Sequence, residues 1–318
     1  MVGCGTYFVN ALRESADGPN PPMQDYLFVS FFLGHDAGER ARRLLADYDL
    51  LDLALSSPDN RHAWLGDHHY GVNLRLPVED RRLHAILGRL RADGVKPFTR
   101  LDREHSIKEL DSADWLIMRI ATAGLYGGVD YGQTYRFEKA CGTCGAGAEV
   151  IPPLVAELGS MGKKDIDHLV YEHHLIVTTR VASALKKAGL SGIAPTLVQT
   201  PRRPPSAHHA WLRITSEFPR LHESTTGYET DAQCSVCGRG GHYADSHVPE
   251  VPRYGKVPPD NPDFSRTWEY FGDWRQVRRA THVRPVGGGQ NVVVSQRARR
   301  VLQDLKVRRL VWVPMFPA

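Results

Sequence analysis

The sequence predicts an α+β protein of two domains, and three observations carry that prediction. Apolar patterning over residues 24–125 alternates strand, helix, strand, strand, helix, strand. Two Cys-x-x-Cys-Gly turns stand at 141–145 and 234–238. A strand–helix–strand pattern at 176–193 returns at 293–310, an offset of 117 residues.

Length and composition set the frame. A chain of 318 residues suits two domains. With 42% hydrophobic and 24% charged residues it is expected to fold, not to stay disordered, and it buries a core without disulfide staples. The longest apolar stretch, Tyr26–Gly34, is roughly half of what a membrane-spanning helix needs. Residues 1–23 are set apart as an N-terminal segment; Met1–Gly18 has no basic start and no apolar core, so it does not read as a signal peptide. The expectation is a cytoplasmic protein with no membrane partner.

Taken in order, Tyr26–Leu33 is an aromatic, β-branched run that reads as a buried strand. Ala37–Asp47 has helical spacing, with apolar residues at 41, 44, 45 and 48. Leu51–Leu55 is a short strand candidate, and Ser56–Asp67 is turn-rich. Tyr70–Leu76 alternates with period two, as a half-buried strand does. Pro77–Asp80 opens a helix that runs through Leu90, with Leu83, Ile86, Leu87 and Leu90 on one face and Gly94 closing it. Lys96–Leu101 is the returning strand. The order βαββαβ is the ferredoxin-like split motif, assigned to 24–125. Asp111–Ala123 is predicted helical, and the glycine-rich stretch after it places a domain boundary near 120–138. Gln199–Ala207, with three prolines, is predicted to be an exposed linker, and His247–Asp263 to be irregular.

The second domain, 135–318, is predicted to be an internally repeated α/β unit with halves at about 141–200 and 234–318. In the recurring segment Thr178 meets Ser295, Arg180 meets Arg297 and Leu185 meets Leu302, while Leu190 meets Val307 and Ile193 meets Leu310. A hydroxyl at the head of each helix is placed to accept an orphan backbone N–H.

The four paired cysteines, Cys141, Cys144, Cys234 and Cys237, carry the chemistry. A Cys-x-x-Cys turn puts two thiolates on one side of the chain, and two such turns close a tetrahedral shell around one Zn²⁺ ion. Gly145 and Gly238 permit the left-handed turn this needs. A closed shell leaves no position for water, so the ion is expected to be structural. Two other readings stay open: a thioredoxin-like redox pair, and two separate metal sites completed by histidines such as His242 or His247. The fifth cysteine, Cys4, leaves an odd count that argues against a disulfide framework.

No catalytic constellation is found. There is no HExxH, GxxxxGK[ST] or GxSxG, and the adjacent pairs His68-His69, His173-His174 and His208-His209 cannot share an ion from a regular strand. The protein is expected not to be an enzyme, and no small-molecule substrate is implied. From Arg266 to Ala318 eleven Lys or Arg face Glu269, Asp273 and Asp304, on a chain of net charge +4. Such an end serves nucleic acid or an acidic protein partner, or is a solvated helix face. Trp268, Tyr270, Phe271 and Trp274 lie among arginines there, a composition that stacks bases, forms protein contacts or edges a core.

The pattern CGTCG, VTTRVASALKKAGLSG, CSVCG, VVSQRARRVLQDLKV resembles the double-CXXCG motif immunity proteins, a family described chiefly in myxobacteria. The resemblance covers roughly 135–318. It implies a cytoplasmic, non-enzymatic protein that neutralises a cognate toxin by covering it, with Cys141, Cys144, Cys234 and Cys237 at the family's motif positions. The N-terminal residues depart from the pattern. The alternative is a nucleic-acid-binding zinc-ribbon protein that uses the basic C-terminal region.

Overall fold

Strand Gln24–Phe32 lies between two antiparallel neighbours, Gly71–Pro77 and Phe98–Glu104. The computed structural model describes residues 24–32, 43–50, 71–95, 97–122, 124–128, 131–170, 173–230, 233–244, 248–272 and 289–318. These form a mixed α+β structure with few helices and many strands, divided into two units. One holds 24–106 with 248–250, and the other holds 107–244 and 251–318, among the described residues.

In the first unit, helix Arg81–Ala92 starts where Asp80 Oδ1 accepts from Arg82 N at 2.9 Å. Its apolar stripe, Leu83, Ile86 and Leu90, is buried with Val29, Leu74 and Leu76 of the sheet and with Leu44, Leu45 and Leu50. Residues 43–47 are helical. The strand expected at 51–55, the turn region after it and residues 37–42 of the expected helix lie outside the described residues.

The second unit contains two five-stranded sheets. In the first, Leu154–Val155 pairs parallel with Ile193–Gln199, followed by Pro205–Ile214, Leu175–Thr178 and Ile166–His168, each antiparallel to the last. In the second, Arg253–Tyr254 pairs parallel with Leu310–Pro317, followed by Trp115–Ile120, Val292–Ser295 and Phe264–Arg266, again each antiparallel. Leu175 and Val177 face one core with Val292 and Val294, while Ile176 and Val293 point to separate clusters on the far faces.

Each sheet carries one helix on that shared core. Thr178 caps Thr179–Lys187 by accepting from Val181 N at 3.5 Å, and Ser295 caps Gln296–Asp304 by accepting from Ala298 N at 3.1 Å. Val181, Leu185, Ala298 and Leu302 are their buried stripes. An aspartate braces each cap: Thr178 N donates to Asp165 O and Ser295 N to Asp263 O, both at 2.9 Å. The side-chain carboxylates of these two aspartates hold Arg180 at 2.8 Å and Arg297 at 3.2 Å. Arg180 Nη1 reaches Leu305 O at 3.4 Å, and Arg297 Nη2 reaches Gly189 O at 3.3 Å. Each arginine thus sits at the start of one helix and the end of the other, and the helices lie antiparallel.

Three expectations are corrected. Residues 111–123 are not one helix: a short helix, Ile107–Ser112, gives way to strand Trp115–Ile120. The run WLIMRI is apolar toward both faces because it is the middle strand of a sheet with cores on both sides, so it shows no period of two. The division between units accordingly falls at 106/107, ahead of 120–138. Finally, 199–207 is no linker. Gln199 pairs with Pro205 across a turn that joins two strands, and Arg202 there takes φ +61°.

Candidate metal centre

Each Cys-x-x-Cys turn is closed by its own backbone. Gly145 N donates to Cys141 O and Gly238 N to Cys234 O, both at 2.8 Å, while Cys141 N donates to Ala146 O and Cys234 N to Gly240 O, also at 2.8 Å. Gly145 and Gly238 take φ of +77° and +69°, the left-handed turn expected of them. Each turn sits in a small hairpin, Tyr135–Arg136 with Glu149–Val150 and Tyr228–Glu229 with Gly240–Ala244.

The structure brings Cys141, Cys144, Cys234 and Cys237 together, their Sγ atoms all within 4.8 Å of one another. Cys141 Sγ lies 3.8 Å from Cys234 Sγ, and Cys144 Sγ 3.5 Å from Cys237 Sγ. Four sulfurs about 2.3 Å from one tetrahedral ion stand about 3.8 Å apart. No disulfide joins them. All four ligands come from the protein, two from each turn, so the cluster suits a structural metal ion held in a closed shell.

The surroundings are half apolar. Cys144 and Cys234 are buried with Ala146 and Tyr270, and Cys141 and Cys237 are half-buried. Burial pushes the Cys144 and Cys237 thiols up, against donors such as the Ala146 and Arg239 N–H groups. Burial also pushes Cys141 up, but the N–H groups of Cys144 and Thr143 and the neighbouring thiols outweigh it and bring it down to about 7. Where burial opposes the thiolate, a cation held by the four sulfurs would keep them ionised.

Around the thiols, Tyr270 OH accepts from Gly147 N at 2.9 Å, so a tyrosine after the second turn braces the loop of the first. Arg239 N approaches Cys237 Sγ at 3.5 Å, and its guanidinium lies 5.1 Å from the Tyr270 ring and 5.4 Å from Trp268. Glu217 pairs with Arg239. Neither Tyr270 nor Arg239 was singled out as a support for the cysteines. Their signal was adjacency: Arg239 follows the second turn, and Tyr270 belongs to the aromatic group near 268–274.

The histidines go elsewhere. His242 is buried, but its Nε2 meets Gly238 O at 3.1 Å and its ring packs on Phe271. His247 lies outside the described residues, as do Cys4, His68-His69 and Trp274. His174 Nδ1 meets Arg266 at 3.1 Å, and the His168 and His173 rings meet edge to face at 5.9 Å. His208 is exposed and His209 half-buried. Among the described residues the four cysteines are the one group of three or more metal-ligating side chains this close together. No helix among the described residues is long and apolar enough to cross a membrane. Compared with family models, with curated proteins and with solved structures, the chain matches none of them.

Proposed function

We propose that this is a non-enzymatic binding protein, stapled by one structural zinc ion, that neutralises a cognate toxin in the cytoplasm by covering it. The cysteine cluster carries the reading. Two donors come from each of two turns 93 residues apart, and a shell closed in this way holds structure and leaves no site for a reacting water. Zinc suits it because thiolates bind that ion strongly and its tetrahedral preference matches the sulfur spacing. The resemblance to the double-CXXCG immunity proteins supplies the toxin partner. The two sheets, with the same pairing directions and caps 117 residues apart, support a duplicated domain. In the first unit the order of the three described strands fits the ferredoxin-like split motif.

Elemental mass spectrometry of the purified protein and of Cys234→Ser/Cys237→Ser tests the staple. About one zinc per chain, absent from the variant, is expected; a metal-free protein, or zinc retained by the variant, sinks it. Co-expression with a toxin encoded beside the gene tests the partner. Protection that disappears in the variant supports neutralisation, and a result with no binding and no protection counts against it.

A further inference from the structure

The turn after helix Gln296–Asp304 holds two long cations in an unusual backbone state. Lys306 and Arg309 take φ of +54° and +67°. At the matching places after helix Thr179–Lys187, 117 residues earlier, stand Gly189 and Gly192 with φ of +65° and +80°. Left-handed backbone is a glycine conformation, and a residue with a Cβ enters it only against steric resistance. One segment meets the requirement with glycines, and the other places charge there.

The charge is not isolated. Lys186, Lys187, Arg300, Lys306, Arg308 and Arg309 are exposed, and none forms an ion pair among the described residues. Over 179–190 and 296–310 the only acidic residue is Asp304. Arg180 and Arg297 are instead tied to Asp165 and Asp263 and to the opposite helix end, which fixes the two helices side by side. Lys186 and Lys187 therefore lie beside the start of the second helix, and Lys306 beside the start of the first. The helix dipole favours a cation in each last turn. It does not call for Arg308 and Arg309 beyond that turn, or for side chains at left-handed positions.

What this face lacks selects the partner. None of the large hydrophobic side chains exposed among the described residues lies on either helix or on the turn 305–309. Protein interfaces are anchored by aromatic or apolar side chains. A row of cations without such anchors suits phosphates, which need charge and no pocket.

From these observations we infer that the paired helices 179–187 and 296–304, with the turn 305–309, form a docking surface for a nucleic-acid backbone, bound through its phosphates without reading sequence. The surface is separate from the cysteine cluster, and its test does not depend on the toxin reading.

The test is fluorescence anisotropy of the full-length, metal-loaded protein with labelled DNA duplexes of about 20 base pairs. Two unrelated sequences are expected to bind alike. With five or six phosphates contacted, affinity falls about a thousandfold between about 50 and 200 mM salt. Lys306→Gly/Arg309→Gly is expected to weaken binding at least tenfold and to reduce the salt slope by about two. Because glycine relieves the left-handed strain, the same variant keeps or raises the melting temperature, so lost binding cannot be lost folding. Absent binding at low salt, or binding the double variant leaves intact, overturns the inference. Polyglutamate bound as tightly as duplex also overturns it, and points to an acidic protein partner.

Discussion

After the first helix of the C-terminal unit the chain turns through Gly189 and Gly192; after the second it turns through Lys306 and Arg309. The fourth residue of each helix also differs: Ala182 is 7% exposed, and its counterpart Arg299 is 4% exposed. Yet strand, cap, helix and connecting turn have the same lengths up to the start of the second strand. The backbone course follows from the capping hydroxyl and the apolar spacing, which are local. What fills a position follows from what lies against it. Arg299 lies under Ile107–Ser112, where it meets Asp111 at 2.6 Å and Leu110 O at 3.3 Å. Gly192 lies against the neighbouring sheet's edge, where a Cβ would collide with Phe264 O and stand 2.8 Å from Pro262 Cβ.

The comparison breaks most completely at the point the two segments depend on together. Chelating the metal, or Cys144→Ser, is expected to unfold the C-terminal unit. Structural zinc contributes on the order of 10 kcal/mol or more, as much as a whole domain's stability. Loss of near-ultraviolet circular dichroism together with protease resistance would report it, and an unchanged spectrum would mean the two halves hold without the ion.

Next in size, Gly192→Ala is expected to lose about 3–5 kcal/mol in urea denaturation, since collision and left-handed strain act together. Gly189→Ala, whose nearest neighbour is the flexible Arg297 Nη2 at 3.5 Å, is expected to lose about 1 kcal/mol. Equal losses would mean that backbone conformation alone required both glycines.

Arg299→Ala is expected to cost about 2–3 kcal/mol, because it removes a buried side chain together with its bonds to Leu110 O and Asp111, while Gln296 Nε2 still donates to Leu110 O. Ala182→Gly on the other helix should cost about 1 kcal/mol, the ordinary helix propensity difference. The caps give the smallest effects. Ser295→Ala is expected to cost about 1 kcal/mol and Thr178→Ala about half that, following hydrogen bonds of 3.1 and 3.5 Å. The reverse order in thermal melts would show that the aspartates bracing each cap, not the hydroxyls, set its strength.

Features written in a few adjacent residues were legible in the sequence. The Cys-x-x-Cys-Gly turns, the caps Thr178 and Ser295 and the stripe Leu83, Ile86, Leu90 each need only local chain to take shape. Features set by distant chain were hidden. Trp115–Ile120 has no period because both its faces are covered, so its apolar run passes for helix. Of the three prolines in 199–207, Pro201 and Pro204 lie in the turn and Pro205 opens the second strand, so a hairpin carried the composition of a linker. The bond from Gly147 to Tyr270 spans two hairpins far apart in sequence, and no spacing rule reveals it.

The two sheets also differ in when they become possible. All five strands of the first lie between residues 154 and 214. The second is built around Trp115–Ile120, whose partners are Val292–Ser295 and Leu310–Pro317. On a ribosome adding about 5–20 residues per second, WLIMRI emerges roughly ten to forty seconds before either partner is made. Over that interval its apolar residues have neither strand partner, and such unpaired apolar segments are where nascent chains pair with one another. Slow codons or a bound chaperone in this interval would govern how much of the protein reaches its native state.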